Sequence, residues 1–125
     1  MTAPVQLRAQ VGPKRAEMLF ADPLGGDRYR LRSIPFLATG LALGDIVEAR
    51  DGHLVGVLEP GGHRTVRLRL NWHPTPEEFA PLWAPLAALG CVCESSSAGL
   101  FAVDVPPGIP DSALASDDWT LQTTG

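Results

Sequence analysis

Short segments of alternating apolar and polar residues, bounded by glycine or proline, limit the folds open to this chain. Residues 5–11 and 65–70 alternate in this way, and so do residues 28–32, where Tyr29 and Leu31 lie on the side opposite three arginines. A period of two is typical of a β-strand with one buried face. The chain is therefore predicted to be rich in antiparallel strands, with further strands at residues 17–21, 45–49, 54–58, 91–95 and 100–105.

Turn residues between these segments predict how the strands connect. Asp51 and Gly52 form an Asp-Gly pair, which readily adopts the backbone angles of a tight hairpin turn. Residues 60–62, Pro-Gly-Gly, predict a second hairpin that pairs residues 54–58 with residues 65–70. Residues 96–99 predict a third hairpin near the end of the chain.

One helix is predicted after residue 74. Thr75 suits the N-cap, Pro76 suits the first helical position, and Glu78 completes a capping box. Gly90 is predicted to end the helix. Two prolines inside the helix each remove a backbone hydrogen bond, so the helix is predicted to bend. The predicted core stripe is Phe79, Leu82, Trp83, Leu86 and Leu89, and the inner prolines are Pro81 and Pro85.

The order of these elements predicts an α+β fold. An antiparallel, β-rich N-terminal half is followed by a βαββ unit that contains the one proline-bent helix. With 125 residues, of which 45% are hydrophobic, the chain is long enough for one domain and its own core. A single domain over residues 1–125 is therefore predicted.

Composition narrows the classes of function. A formal net charge of −4 gives no general attraction to nucleic acid or to an anionic membrane surface. The first residues do not resemble a signal peptide, and no apolar run is long enough to span a bilayer. Cys91 and Cys93, about 7 Å apart on one face of a strand, suit a disulfide poorly. A cytoplasmic protein with reduced thiols is expected.

No motif for a common cofactor is present. The sequence contains neither a glycine-rich dinucleotide fingerprint nor a P-loop, a nucleophile elbow or a pattern of metal ligands. We therefore expect any chemistry to proceed without a metal or an organic cofactor.

Six stretches of the chain together carry a resemblance, at residues 17–21, 26–31, 34–36, 44–47, 89–91 and 102–107. They resemble a bacterial family, common in actinobacteria, that is catalogued as a domain of unknown function. The resemblance supports the predicted fold and cytoplasmic location but implies no catalytic residues. The size and layout of the chain also resemble the small accessory enzymes that close lysinoalanine bridges in duramycin- and cinnamycin-type lanthipeptides.

Arginines on two strands form the most distinctive charge pattern. Arg28, Arg30 and Arg32 share one face of their strand, and Arg67 and Arg69 share the polar face of theirs. If both strands lie in one sheet, the guanidinium groups form a platform for a carboxylate, a phosphate or another anion. The alternative is an ordinary solvated sheet face with the arginines paired to acidic neighbours.

The histidines suggest a binding corner at one end of the predicted sheet. In the hairpin built on residues 60–62, His53 lies beside Asn71, Trp72 and His73. Two imidazoles there can act as acid or base near neutral pH. A metal site is disfavoured, because His63 and His73 lie roughly 30 Å apart along a straight strand. The alternative is two exposed loop histidines and a core tryptophan.

Two carboxylates and two thiols complete the candidates. Asp104 alternates with valines and is predicted to point away from their core, toward the arginine face. Asp45 begins a strand, and either carboxylate could orient a substrate amine. Cys91 and Cys93 are candidate nucleophiles, but no base is visible beside them.

Two functions are compatible with these residues. The first is an enzyme that binds a peptide and adds a lysine amine to dehydroalanine, which requires positioning, a base and stabilisation of an enolate. The second is a non-catalytic module that binds an anion, a metabolite or a protein. Either could form a homodimer that covers a sheet edge. In the enzyme, His53 or His73 would accept the proton, Trp72 would pack against the peptide, and Arg67, Arg69 and Asn71 would anchor it.

Overall fold

The protein folds into a β-barrel followed by a four-stranded sheet that carries one helix. The computed structural model describes residues 3–95 and 99–123. The barrel strands are β1 (Val5–Gly12), β2 (Arg15–Gly25), β3 (Arg28–Leu31), β4 (Ile46–Arg50) and β5 (His53–Glu59). The remaining elements are β6 (Arg64–Leu70), α1 (Pro76–Ala88), β7 (Val92–Ser95), β8 (Leu100–Val105), a 3₁₀ turn (Asp111–Ala113) and β9 (Trp119–Thr123).

The α+β class is as predicted, but the barrel is not part of the prediction. Antiparallel neighbours run from β1 to β5, and a parallel contact between β1 and β5 closes the ring. The second sheet has the order β7-β8-β6-β9, so the C-terminal tail adds a strand to it. The predicted hairpin turn at residues 96–99 falls largely on residues 96–98, which lie outside the described residues.

Each sheet has its own apolar core. The alternating residues of the barrel strands meet inside it, around Leu7, Leu19 and Val47. In the second sheet, valines of β6 and β8 pack with Leu86 of the helix. The helix begins with the predicted capping box, in which Thr75 and Glu78 each accept a hydrogen bond from the other's backbone. None of the described helices is long and apolar enough to cross a membrane.

The chain crosses from barrel to second sheet at residues 60–62. The predicted hairpin between β5 and β6 is therefore wrong, because this Pro-Gly-Gly segment carries the chain onward instead of folding it back. Gly61 lies directly against the backbone of Gly44, and a Cβ atom at position 61 would be 2.8 Å from the Gly44 carbonyl oxygen. Its N–H donates to Oδ1 of Asp45 at 2.8 Å.

Two charged side chains hold residues 36–38 between the barrel and the second sheet. Glu17 of β2 accepts hydrogen bonds from the backbone N–H groups of residues 36, 37 and 38, at 2.7–3.1 Å. From the opposite side, Arg67 of β6 donates to the carbonyl oxygens of Phe36 and Ala38. Backbone donors and acceptors of one short segment are thus satisfied by charges of opposite sign.

The position of Arg67 corrects the prediction of an arginine platform. Only 7% of its surface is exposed, because its guanidinium group lies against residues 36–38. Burial lowers the pKa of Arg67, and the negative charge of Glu17 opposes that effect. Arg67 therefore joins the barrel to the second sheet and is not on the surface, where it could bind an anion.

Replacing Arg67 by methionine should destabilise the protein strongly. Arg67→Met leaves buried carbonyl groups without donors and Glu17 without its counter-charge, so we expect the free energy of unfolding to fall by about 2–4 kcal/mol. Arg69→Met is the matched control, because Arg69 lies two residues along the same strand and is exposed; it should change stability by less than about 0.5 kcal/mol. Urea denaturation of both variants measures the difference, and equal losses would contradict this role.

Candidate functional site

The predicted arginine surface is split between the two sheets. Arg28 and Arg30 lie on β3 in the barrel, whereas Arg67 and Arg69 lie on β6 in the second sheet. Arg28 instead pairs with Glu59 at 2.5 Å, on the surface. The prediction of a shared guanidinium platform is therefore wrong, because one strand belongs to the closed barrel and the other to the second sheet. The alternating pattern that both strands share does not specify the sheet to which each belongs.

The predicted histidine corner is also dispersed. His53 begins β5, next to Arg8 of β1, because closure of the barrel draws that end toward β1 and not toward Asn71. His73 lies exposed in the loop before the helix. The two histidines are therefore not brought together, and the structure adds no support to their predicted role as proton acceptors.

Asn71 and Trp72 hold the chain that leads into β9. The Asn71 amide donates to the carbonyl oxygen of Asp117 and accepts from the Thr120 hydroxyl, both at 3.0 Å. The Trp72 indole N–H donates to Asp118 at 3.0 Å. These contacts give both residues a structural explanation that does not require a ligand.

The structure brings His63 and Asp104 together. Nδ1 of His63 lies 2.8 Å and 3.0 Å from the two carboxylate oxygens of Asp104. Asp104 pairs with Thr65 across β6 and β8, which places it beside the residue that precedes β6. The prediction that Asp104 points away from the valine core is consistent with this position, but its partner is His63 and not an arginine.

Burial governs the charge of Asp104. Only 2% of its surface is exposed, and this burial raises the pKa of Asp104. The hydrogen bond and charge of His63 lower that pKa, and the nearby Asp45 carboxylate raises it. A carboxylate in this position favours the tautomer of His63 that carries hydrogen on Nδ1, which leaves Nε2 as a proton acceptor.

His63 lines a pocket between the barrel and the second sheet, which we call the His63 pocket. Its volume is about 590 Å³, and the His63 side chain is 32% exposed. Leu41 and Val57 supply apolar walls from the barrel side. At the rim, Arg64 pairs with Asp111 at 2.7 Å. The pocket thus combines an oriented imidazole with apolar surface, as expected of a small-molecule or side-chain site.

Asp45, a predicted site residue, lines the same pocket but is fully engaged by the backbone. Oδ2 accepts from the N–H of Ala42 at 2.9 Å, and Oδ1 accepts from Gly61. This carboxylate therefore shapes the wall of the pocket and contributes negative charge near Asp104.

The cysteines are poor nucleophiles in this fold. Burial raises the pKa of Cys91, and the negative charge of Asp104 adds to that effect. Burial also raises the pKa of Cys93. The reactive thiolate is thus disfavoured at both positions. Within residues 3–95 and 99–123, no group of three or more His, Cys, Asp or Glu side chains is arranged to hold a metal ion.

The raised pKa of Asp104 should appear in the pH dependence of stability. A carboxyl group whose pKa is raised by folding stabilises the protein below its unfolded pKa, near 3.8, and loses that contribution as pH rises through the folded pKa. The side chain in Asp104→Asn cannot ionise. As pH rises above about 4, the unfolding free energy of this variant should therefore increase relative to that of wild type, by up to about 1.4 kcal/mol per pH unit.

Urea denaturation from pH 4 to pH 7 measures this gain. Asp111→Asn is the control, because Asp111 is an exposed carboxylate at the rim of the same pocket. If both variants kept a constant difference from wild type across this range, burial of Asp104 would have no effect on its titration.

Comparison with known proteins identifies the family of the chain. It superimposes on the crystal structure of a hypothetical protein from Neisseria gonorrhoeae with a TM-score of 0.73 and 18% sequence identity, covering 99% of this chain and 96% of that one. This likeness concerns the fold. None of the curated proteins matches the sequence. The family pattern of DUF4265, a domain of unknown function, matches residues 17–118. The chain therefore belongs to the DUF4265 family.

Proposed function

We propose that the protein is a small enzyme in which His63, oriented by Asp104, moves a proton on a substrate bound in the His63 pocket. The observation that carries this proposal is the buried carboxylate held 2.8 Å from Nδ1 of a partly exposed histidine. Buried carboxylates are costly unless they have a partner, and here the partner faces a pocket. An imidazole held in this way can accept a proton and return it in one catalytic cycle.

The reaction we propose is the addition of a lysine amine to dehydroalanine within a peptide. The amine nitrogen bonds to the β-carbon while Nε2 of His63 accepts the amine proton, and the proton returns at the α-carbon. No metal or cofactor is needed, since positioning of the two groups supplies much of the rate. In this proposal His63 takes the role expected of His53 or His73, and Arg69 and Asn71 have no part.

A non-catalytic binding module is the alternative. It would use the same pocket for a metabolite or protein, with the His63–Asp104 pair serving only to join β6 to β8. The predicted homodimer is compatible with both functions and stays a prediction.

Replacing His63 by glutamine should slow turnover strongly. With a dehydroalanine-containing lanthipeptide intermediate as substrate, we expect His63→Gln to lower the rate of cross-link formation about 10²–10⁴-fold, because it removes the proton acceptor. His53→Ala and His73→Ala are the controls and should change the rate less than about twofold. The cross-link leaves the mass unchanged, so it is detected by fragmentation of the released peptide.

The outcomes separate the two functions. Binding by wild type without a cross-link would favour the binding module. A cross-link that forms at the wild-type rate with His63→Gln would show that His63 is not the base.

A further inference from the structure

β1 and β5 close the barrel through one residue pair. Arg8 pairs with His53, and the Arg8 N–H donates to the carbonyl oxygen of Gly52 at 2.7 Å. Both strands continue past this point, β1 to residue 12 and β5 to residue 59, but no further pair joins them within the described part of the chain. A cleft of about 540 Å³ opens there, lined by residues 9–11, 37–41 and 54–57, and we call it the β1–β5 cleft.

The strand edges that face this cleft are suited to pairing with another chain. β1 pairs with β2 along its opposite edge, and β5 pairs with β4 along its opposite edge. Edge strands that lack a neighbour present backbone donors and acceptors in the spacing of a β-ladder. An extended peptide is the ligand that satisfies such groups, as in strand-addition complexes.

Side chains around the β1–β5 cleft are apolar or uncharged. Val57 pairs with Val47, which is fully buried, yet Val57 is 37% exposed because the barrel opens at this point. Val55 and Leu37 are more exposed still. None of the residues that line this cleft is charged. Exposed apolar side chains beside unpaired strand edges favour a peptide with apolar or small uncharged side chains, and disfavour an anion.

The β1–β5 cleft lies next to the His63 pocket. Both are lined by Gly40, Leu41 and Val57, so the two spaces are neighbours along β5, and we call them together the groove. From residue 54 to residue 59 this strand is about 17–20 Å long at the usual rise per residue, which matches an extended segment of about six residues. A chain that lies in the cleft and follows β5 toward Pro60 therefore runs toward the His63 pocket.

We propose that the groove binds an extended, uncharged peptide segment, which adds as a strand in the gap between β1 and β5 and presents its end to His63. The presentation to His63 rests on the proposed function, whereas binding in the β1–β5 cleft does not. The substrate class is thus a peptide held by its backbone, with apolar side chains directed toward Val55 and Leu37.

A labelled hexapeptide of alternating valine and threonine tests this proposal by fluorescence anisotropy. Val55→Asp should weaken its binding at least about tenfold, because a charge replaces apolar contact area in the cleft. Leu37→Asp, in the segment of residues 37–41 that also lines the cleft, should act in the same direction. Val92→Asp is the matched control, since Val92 is exposed to a similar extent on β7 in the other sheet. Circular dichroism of each variant verifies the fold.

A second probe separates strand addition from simple apolar binding. The same hexapeptide methylated on alternate backbone nitrogens keeps its side chains but loses half of its ladder donors, and it should bind at least about tenfold more weakly. Equal binding of the two peptides, equal effects of Val55→Asp and Val92→Asp, or no binding of the unmethylated peptide would overturn the proposal.

The His63→Gln variant distinguishes this inference from the proposed function. Its affinity for the hexapeptide should stay within about threefold of wild type, because His63 lines the pocket at one end of the groove and not the β1–β5 cleft, where most of the peptide lies. Peptide binding that needs Val55, together with an absence of turnover in wild type, would leave the cleft proposal standing and overturn the catalytic one. Turnover that is unaffected by Val55→Asp and Leu37→Asp would overturn the cleft proposal and leave the catalytic one standing.

Discussion

The burial of Arg67 against residues 36–38 is the constraint on which the rest of the structure depends. Glu17 binds the donors of this segment and the buried Arg67 binds its acceptors, so the barrel and the second sheet are joined through two charged side chains. The residues that follow this segment form a wall of the His63 pocket. On the same side of β6, Thr65 donates to the carbonyl oxygen of Leu41, and its cross-strand neighbour Asp104 is buried and needs a partner.

Two buried carboxylates, Asp45 and Asp104, have different roles at the boundary between the barrel and the second sheet. Asp45 accepts two backbone hydrogen bonds and fixes the path of the crossing segment, whereas Asp104 has a titratable partner. The same type of side chain thus has a structural role at one position and can support proton transfer at the other. The difference lies in whether the partner is a backbone amide or an imidazole beside a pocket.

Much of the local structure follows from the sequence, and the long-range structure does not. Alternation predicts the strands, and the capping box at Thr75 predicts where the helix begins, because both depend on neighbouring residues. Closure of the barrel depends on a contact between Arg8 and His53, which no local pattern encodes. The candidate site follows the same division. A carboxylate between two valines signals a buried charge, and with that signal Asp104 could have been assigned a partner at the start of the adjacent strand.

Gly61 shows how a residue without chemistry can be as restricted as one in an active site. Its backbone lies against Gly44, so even a methyl group there would push the barrel away from the second sheet. His63 is two residues further along the chain, and the pocket wall depends on both sheets. In a library of random variants, position 61 should therefore be as intolerant of change as a ligand-contacting position, and a map of intolerance alone would misidentify it as part of the reaction centre.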